Sequence, residues 1–394
     1  MSVAKKRPSP VRSRLDIPSA DLVVVKVGSS SITSVSGGID SDAIKLLADN
    51  VAAAVKNGTK VVLVSSGAIS AGLKPLGFDY RPGDLATQQA AASVGQGLLM
   101  AHYTGAFNNH GLTTSQVLLT AEDLIQRQQY ANAFRALTKL LQLGVVPIVN
   151  ENDTVATHEI RFGDNDRLAA LVAHLVNADA LVLLSDVDAL YDGPPSEGAQ
   201  RIPHVKSAKD LADVRIGSVG SAGVGTGGMV TKVQAATMAS ESGIPALITS
   251  ATNAGSALGG QDVGTWFDAY GKRRPLRHLW LAHLANTHGR LTLDAGAVRA
   301  VAKGKASLLA AGVREAHGAF EVGDPIELAD TDGVVFARGF SSYSSDDIPE
   351  MLGLTSQQLR EKFGTQFERP LVHVDDLVIM TNGVRKISAP KAAH

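Results

Sequence analysis

The chain has 394 residues, room for two domains, and carries 37 Lys and Arg against 38 Asp and Glu; a formal net charge of -1 gives no global attraction to nucleic acid or anionic lipid. The absence of cysteine excludes disulfides, thiolate zinc sites and cysteine nucleophiles together. No apolar run reaches the roughly 18 residues that cross a bilayer, and the opening Lys5-Lys6-Arg7 gives way to prolines, so a cytoplasmic protein with no membrane association is expected.

Residues 1–19, with Pro8, Pro10, Pro18, Arg12 and Arg14, read as a flexible basic tail. Leu22 to Val27 (L-V-V-V-K-V) has the pattern of a buried strand interrupted by Lys26, and Gly28-Ser29-Ser30-Ser31 follows. A lysine inside such a run must snorkel or meet an anion, and the Gly/Ser turn with its backbone N–H groups favours a phosphate. Ser41 is expected to cap a helix over Asp42 to Lys56 that Gly58 ends. Val61 to Val64 reads as the next strand and stops at Ser65-Ser66-Gly67-Ala68, a second small-residue turn opening a helix, where a carboxylate or phosphate can sit on exposed amides.

Ala86 to Asn109 is alanine-rich and helical, with Gly95 small enough for close packing or a subunit contact. Ser115 to Thr120 reads as a strand and Asn132 to Leu143 as a helix. Val145 to Val149 is continuously apolar, as in a parallel sheet covered on both faces. Its end is crowded with Asn150, Glu151, Asn152 and Asp153, then Arg161, Asp164, Asn165 and Asp166, before a helical run over Arg167 to Val176. One of these acids serves as a helix cap, but alternating carboxylates and carboxamides beyond a strand's carboxyl end suit a zwitterionic ligand.

Ala180 to Leu184 is a further buried strand, and Asp186 and Asp188 after it suit a metal, a ribose or merely a turn. Gly223, Gly225 and Gly228 satisfy G-x-G-x-x-G, yet no strong strand precedes them and no acid stands at the ribose-holding offset, so a dinucleotide fingerprint is rejected. The P-loop pattern fails as well, because Met229 follows Gly228 where a lysine is needed; Lys232, one helical turn on, can address a polyphosphate together with the helix-start amides. Pro245 to Thr249 is expected to be the last strand of this region, and Trp266 to His288, with Lys272, Arg273, Arg274, Pro275 and Arg277, reads as an exposed linker.

Strand and helix alternate from Leu22 to Thr249, so the expected fold class is α/β, a mainly parallel sheet covered on both faces. Short β segments from about residue 287 form a separate small β-rich domain. The expected boundaries are a tail at 1–19, an α/β domain at 20–270, a linker at 271–286, the β-rich domain at 287–383 and a flexible tail at 384–394.

Across residues 20–383 the chain resembles the glutamate-phosphorylating branch of the amino acid kinase family, which carries a C-terminal PUA domain. The carriers are V-V-K-V-G-S-S around Lys26, S-S-G-A-I-S-A-G at 65–72, V-N-E-N-D at 149–153, G-D-N-D at 163–166 and G-T-G-G-M-V-T-K at 225–232. K-A-S-L-L-A-A-G-V at 305–313 and S-Y-S-S-D at 342–346 carry the PUA likeness. The resemblance implies a three-layer α/β/α sandwich that phosphorylates the side-chain carboxylate of L-glutamate with ATP and Mg²⁺, as the first step towards proline.

It also implies proline as feedback inhibitor, a homodimer or homotetramer, and functional coupling to glutamyl-phosphate reductase. By the same resemblance glutamate meets Ser66, Gly67, Asn150, Asp153, Asp164 and Asn165. Nucleotide meets Lys26, Ser185, Asp186 and the run Thr226, Gly227, Gly228, Met229, Val230, Thr231 and Lys232. Lys26 and Lys232 stabilise the moving phosphoryl group, and Asp166 holds the two lysines. Mg²⁺ rides on the nucleotide phosphates, with no protein ligand assigned. Ser65 and Ser185 stand where the family commonly has threonine, and Arg161 where it has lysine, which keeps the hydroxyls and the charge. Two rival readings are a sibling kinase with another carboxylate substrate and an RNA-binding protein acting through the small domain. Residues 290–370 hold 9 Lys and Arg against 12 Asp and Glu, the wrong sign for a phosphate-binding surface.

Overall fold

The computed structural model describes residues 10–33, 38–155, 165–193, 198–211, 214, 228–271, 276–283 and 287–380. The chain divides into two compact units, residues 1–276 and 277–394.

In the first unit the strands are β1 (Leu22–Val27), β2 (Lys60–Val64), β3 (Thr114–Leu119), β4 (Val146–Glu151), β5 (Ala180–Ser185), β6 (His204–Val205), β7 (Ala246–Ser250) and β8 (Thr265–Phe267). They form one sheet in the order β3-β4-β2-β1-β5-β7-β8-β6. The six strands from β3 to β7 are parallel. Their β-branched and leucine-rich runs are buried along their length in β1, β4 and β5, as expected where helices cover both faces.

Helices α1 (Ser41–Lys56), α2 (Ala68–Leu73), α3 (Leu85–Asn108), α4 (Ala121–Ile125), α5 (Arg127–Gln142), α6 (Asn165–Leu175), α7 (Met229–Glu241) and α8 (Ala254–Leu258) connect them. The alternation of a strand sorts side chains between the two helical layers. Val23, Val25 and Val27 of β1 join Leu47 and Val51 of α1, Leu99 and Phe107 of α3 and Ala257 of α8 in one core cluster. Lys26 therefore points to the opposite face, where α6 packs against α7. The arrangement is the expected helix–sheet–helix sandwich.

Several expectations need correction. The cap of α1 is Asp40, whose Oδ1 accepts from the N–H groups of Asp42 at 3.1 Å and Ala43 at 3.0 Å; Ser41 is the first helical residue. The segment Pro245 to Thr249 is not the last strand here. β8 runs antiparallel to β7 and buries Trp266 and Phe267, which the sequence placed in an exposed linker. Nor are residues 1–19 a flexible tail throughout. Arg14–Ser19 form a 3-10 turn with Ile17 buried, and the Arg14 guanidinium donates to the carbonyls of Val263 at 2.7 Å, Gly264 at 3.0 Å and Pro203. A buried guanidinium with three carbonyl acceptors and the Asp262 carboxylate at 2.9 Å anchors the arm to the β6–β8 edge.

Helix α9 (Leu276–His283) begins at the boundary between the units, inside the segment 271–286 expected to be a linker. Leu281 is buried with Phe340 and Val378, and Trp280 stacks on Phe340 with ring centroids 5.9 Å apart. The sheet strands of the second unit are β9 (Gly289–Leu293), β10 (Val313–Gly318), β11 (Pro325–Ala329), β12 (Val335–Phe340) and β13 (Leu377–Ile379), in the order β10-β9-β11-β12-β13. Only the β9–β11 pair is parallel. Helices α10 (Ala295–Val301), α11 (Ile348–Met351) and α12 (Ser356–Phe363) contribute Val301, Met351 and Leu359 to its core. The expected tail at 384–394 lies outside the described residues.

Candidate functional site

Because β1, β2, β4 and β5 are parallel neighbours, their carboxyl ends share one edge of the sheet, where open α/β sheets hold ligands. Lys26, one residue from the end of β1, reaches Asp166 in the first turn of α6 with 2.5 Å between Nζ and Oδ1. Lys232, in the first turn of α7, reaches the other oxygen of the same carboxylate at 3.3 Å. The Thr231 hydroxyl lies 2.9 Å from Asp166 Oδ2 and 2.9 Å from the carbonyl of Gly228, the residue that caps α7. Asp166 is fully buried, and Lys26 and Lys232 are only 4% and 5% exposed.

Burial by itself would raise the Asp166 carboxyl. The charges of Lys26 and Lys232, with hydrogen bonds from Lys26 and Thr231, outweigh that and hold it below the usual carboxylate range. Two ammonium groups share one carboxylate, so the cluster carries an excess positive charge in a dry setting at the start of α7. Such a place attracts a polyanion.

Beside this cluster lies a network of carboxamides. Asn165, the residue before Asp166, donates through Nδ2 to the Ser65 carbonyl at 2.7 Å and to Asn150 Oδ1 at 2.8 Å, and its Nδ2 lies 3.2 Å from Ser66 Oγ. Asn150, at the end of β4, donates through Nδ2 to Gln96 Oε1 at 2.7 Å. Ser65, at the end of β2, is held through its N–H to Val149 and by a 2.9 Å hydroxyl contact with the buried Tyr103. Burial pushes the Tyr103 phenol up, with the Ser65 contact opposing, so it stays protonated. Gly67, with φ of 90°, caps α2 in the left-handed region, where a side chain would be strained.

The structure thus brings together Lys26, Ser66, Asn150, Asn165, Asp166, Thr231 and Lys232. Asp153 is half-buried in the turn that follows β4. Ser185 is buried at the end of β5, beside β1, and its hydroxyl donates to the exposed Asp186 at 3.1 Å. Gly228, Met229 and Val230 begin α7. Asp164, Arg161, Thr226 and Gly227 lie outside the described residues, as do Gly223 and Gly225. Among the described residues no group of three or more His, Asp or Glu side chains is arranged to hold a metal ion, and no helix is long and apolar enough to cross a membrane.

Gln96 and Tyr103 were missed in the sequence. Both come from α3, where a glutamine and a tyrosine seven residues apart look like ordinary helical positions; the only signal was that this spacing puts them on one face.

The pattern of the amino acid kinase family matches residues 21–250, and that of the PUA domain matches residues 289–363. The glutamate 5-kinase of Thermobifida fusca is 56% identical over 374 residues, spanning 94% of this chain and 96% of that protein. The glutamate 5-kinase of Streptomyces avermitilis is 55% identical over 93% of this chain and 99% of its own length. That of Bifidobacterium animalis is 55% identical over 95% of this chain and 99% of its own.

Proposed function

Since the chain belongs to the amino acid kinase family, as one of its glutamate 5-kinases, we propose how its residues carry out the phosphorylation of glutamate with ATP as co-substrate. The observation that carries the reading is the buried Lys26–Asp166–Lys232 cluster at the carboxyl edge of the sheet.

The side-chain carboxylate of glutamate, with an ordinary pKa of about 4.3, is already ionised at neutral pH, so no general base is required. One of its oxygens attacks the γ-phosphorus of ATP; the new O–P bond forms as the bond to the β,γ-bridging oxygen breaks, and ADP leaves without a proton transfer. What the protein must supply is alignment and positive charge along the reaction axis. Lys26 and Lys232 supply the charge, and Asp166 and Thr231 fix where the two ammonium groups stand. Mg²⁺ carried on the nucleotide phosphates would neutralise part of their charge, with no protein ligand assigned to it. Asp153, Asp164, Asn165 and Asn150, with Ser66 and Gly67, hold the amino acid. Ser185, Asp186 and the segment from Thr226 to Lys232 hold the nucleotide.

The product is an acyl phosphate, which water hydrolyses readily, and this favours direct delivery to a glutamyl-phosphate reductase as the first step towards proline in the cytoplasm. Proline shares the α-carboxylate and ammonium of glutamate, so it competes for the same pocket as a feedback inhibitor. The protein works as a homo-oligomer. ADP release measured with glutamate, aspartate and N-acetylglutamate, each with and without proline, tests the reading. Turnover with glutamate alone, suppressed by proline, is expected; equal turnover with aspartate would overturn the substrate assignment, and indifference to proline would overturn the regulatory one.

A further inference from the structure

The carboxamides at the substrate end form a chain whose direction is set by the backbone. The N–H of Glu151 can only donate, so the Asn150 atom 3.0 Å from it is the oxygen. A carbonyl can only accept, so the Asn165 atom 2.7 Å from the Ser65 carbonyl is the nitrogen. With both amides fixed, Asn150 Nδ2 must donate outward, and the group that receives it is Gln96 Oε1 at 2.7 Å. All three side chains run the same way: Asn165 to Asn150, Asn150 to Gln96.

Such a chain leaves one unused group at each end. Asn165 Oδ1 is buried and has no hydrogen-bond partner among the described residues, and the same holds for Gln96 Nε2. Buried polar atoms are normally paired, so an orphan acceptor beside Asp166 and Ser66 calls for a partner that arrives with the substrate. An acceptor there meets a donor. Of the groups on glutamate, only the ammonium donates at neutral pH.

Resting on the reading of this site as the glutamate pocket, we propose that Gln96 is a positioning residue for substrate selection: by accepting from Asn150 Nδ2 it holds Asn150, and through it Asn165, where Asn165 Oδ1 meets the substrate's ammonium group. Removing the Gln96 acceptor leaves Asn150 Nδ2 buried without a partner. Turning Asn150 over would set its Nδ2 against the Glu151 N–H and Asn165 Nδ2, so the side chain instead shifts to find another acceptor. Asn165, which the Ser65 carbonyl keeps in the same direction, then loses Asn150 Oδ1 as an acceptor and moves its own Oδ1 out of line with the ammonium. Discrimination for a free amino acid is thereby lost through a residue that touches no substrate.

The test uses the full-length enzyme and three variables: Gln96→Leu, Gln96→Glu and the deamino substrate analogue glutarate. Losing a buried acceptor in this way is expected to raise the glutamate KM of Gln96→Leu by about tenfold or more, with the ATP KM unchanged. The Ki of glutarate, which has no ammonium, is expected to stay within about threefold of wild type, since removing one group changes only the interactions that group makes. Gln96→Glu, which keeps an oxygen acceptor, is expected to return most of the glutamate affinity. An unchanged glutamate KM in Gln96→Leu overturns the proposal. So does an equal weakening of glutamate and glutarate, which would mean a collapsed pocket, and so does a Gln96→Glu enzyme as impaired as Gln96→Leu with the same melting temperature as wild type. If the wild-type enzyme itself fails to phosphorylate glutamate, it is the functional reading that falls.

Discussion

Replacing Asp166 by Asn keeps the shape of the side chain and removes one negative charge from a fully buried place between two ammonium groups. Each ammonium lies within 3.3 Å of one oxygen of that carboxylate, so the two nitrogens are no more than about 8 Å apart, and at an effective dielectric of ~20 their repulsion is at least about 2 kcal/mol. Breaking a buried pair by removing one partner typically costs about 3–5 kcal/mol, because the remaining charge stays desolvated. Asp166→Asn is therefore expected to be less stable than wild type by about 3–5 kcal/mol in urea unfolding followed by circular dichroism, with kcat lowered by about 10² or more as the lysines lose their anchor.

The pH dependence has a definite sign. The Asp166 carboxyl is depressed in the folded protein, so its contribution is fully present above the unfolded carboxylate value of about 3.9 and is lost only as pH falls through the lower folded value. The stability gap between wild type and Asp166→Asn should accordingly be flat from about pH 5 to pH 8. A gap below about 1 kcal/mol, the scale of an exposed ion pair, or one that fades between pH 5 and 7, would refute this account of the cluster.

Lys26→Met and Lys232→Met are each expected to lower kcat by about 10²–10³ with a small effect on the glutamate KM, checked by steady-state kinetics. Asp153→Asn is expected to raise the glutamate KM and leave the ATP KM alone; the reverse pattern in the same assay would move Asp153 out of the amino acid pocket. A Cβ on Gly95 would stand 1.8 Å from the Ala68 carbonyl oxygen and 2.5 Å from the Gly72 nitrogen, a clash with the α2 backbone that no side-chain movement relieves. Gly95→Ala should therefore lose about 1–3 kcal/mol of stability by thermal melting and, because α2 follows directly on Ser66-Gly67, raise the glutamate KM.

The α/β order was legible because buried parallel strands are written as unbroken apolar runs, and Lys26 stood out as the one charge inside such a run. The convergence of Lys26 and Lys232 on Asp166 was not legible from spacing: 66 residues separate Asp166 from Lys232, and only family resemblance connected them. Local choices between equivalent residues were also beyond the sequence. Asp40 and Ser41 can both cap α1, and the carboxylate prevails because one of its oxygens takes two N–H groups. β8 has three residues, too few for a period, and the basic residues after it suggested exposure while Trp266 and Phe267 were filling the core. Arg14 looked like part of a solvated arm because its three acceptors are backbone carbonyls, which no side-chain pattern announces. Gln96 escaped for a related reason. Its partner Asn150 is 54 residues away, and its own neighbourhood is an alanine- and glycine-rich helix with no charged residue.

The most direct test of the central claim is to trap the acyl phosphate with hydroxylamine and compare wild type with Lys26→Met and Lys232→Met, all given glutamate, ATP and Mg²⁺. Glutamyl hydroxamate should accumulate with wild type and fall by about 10²-fold or more in either variant. Hydroxamate formed at the wild-type rate by either lysine variant would contradict the account.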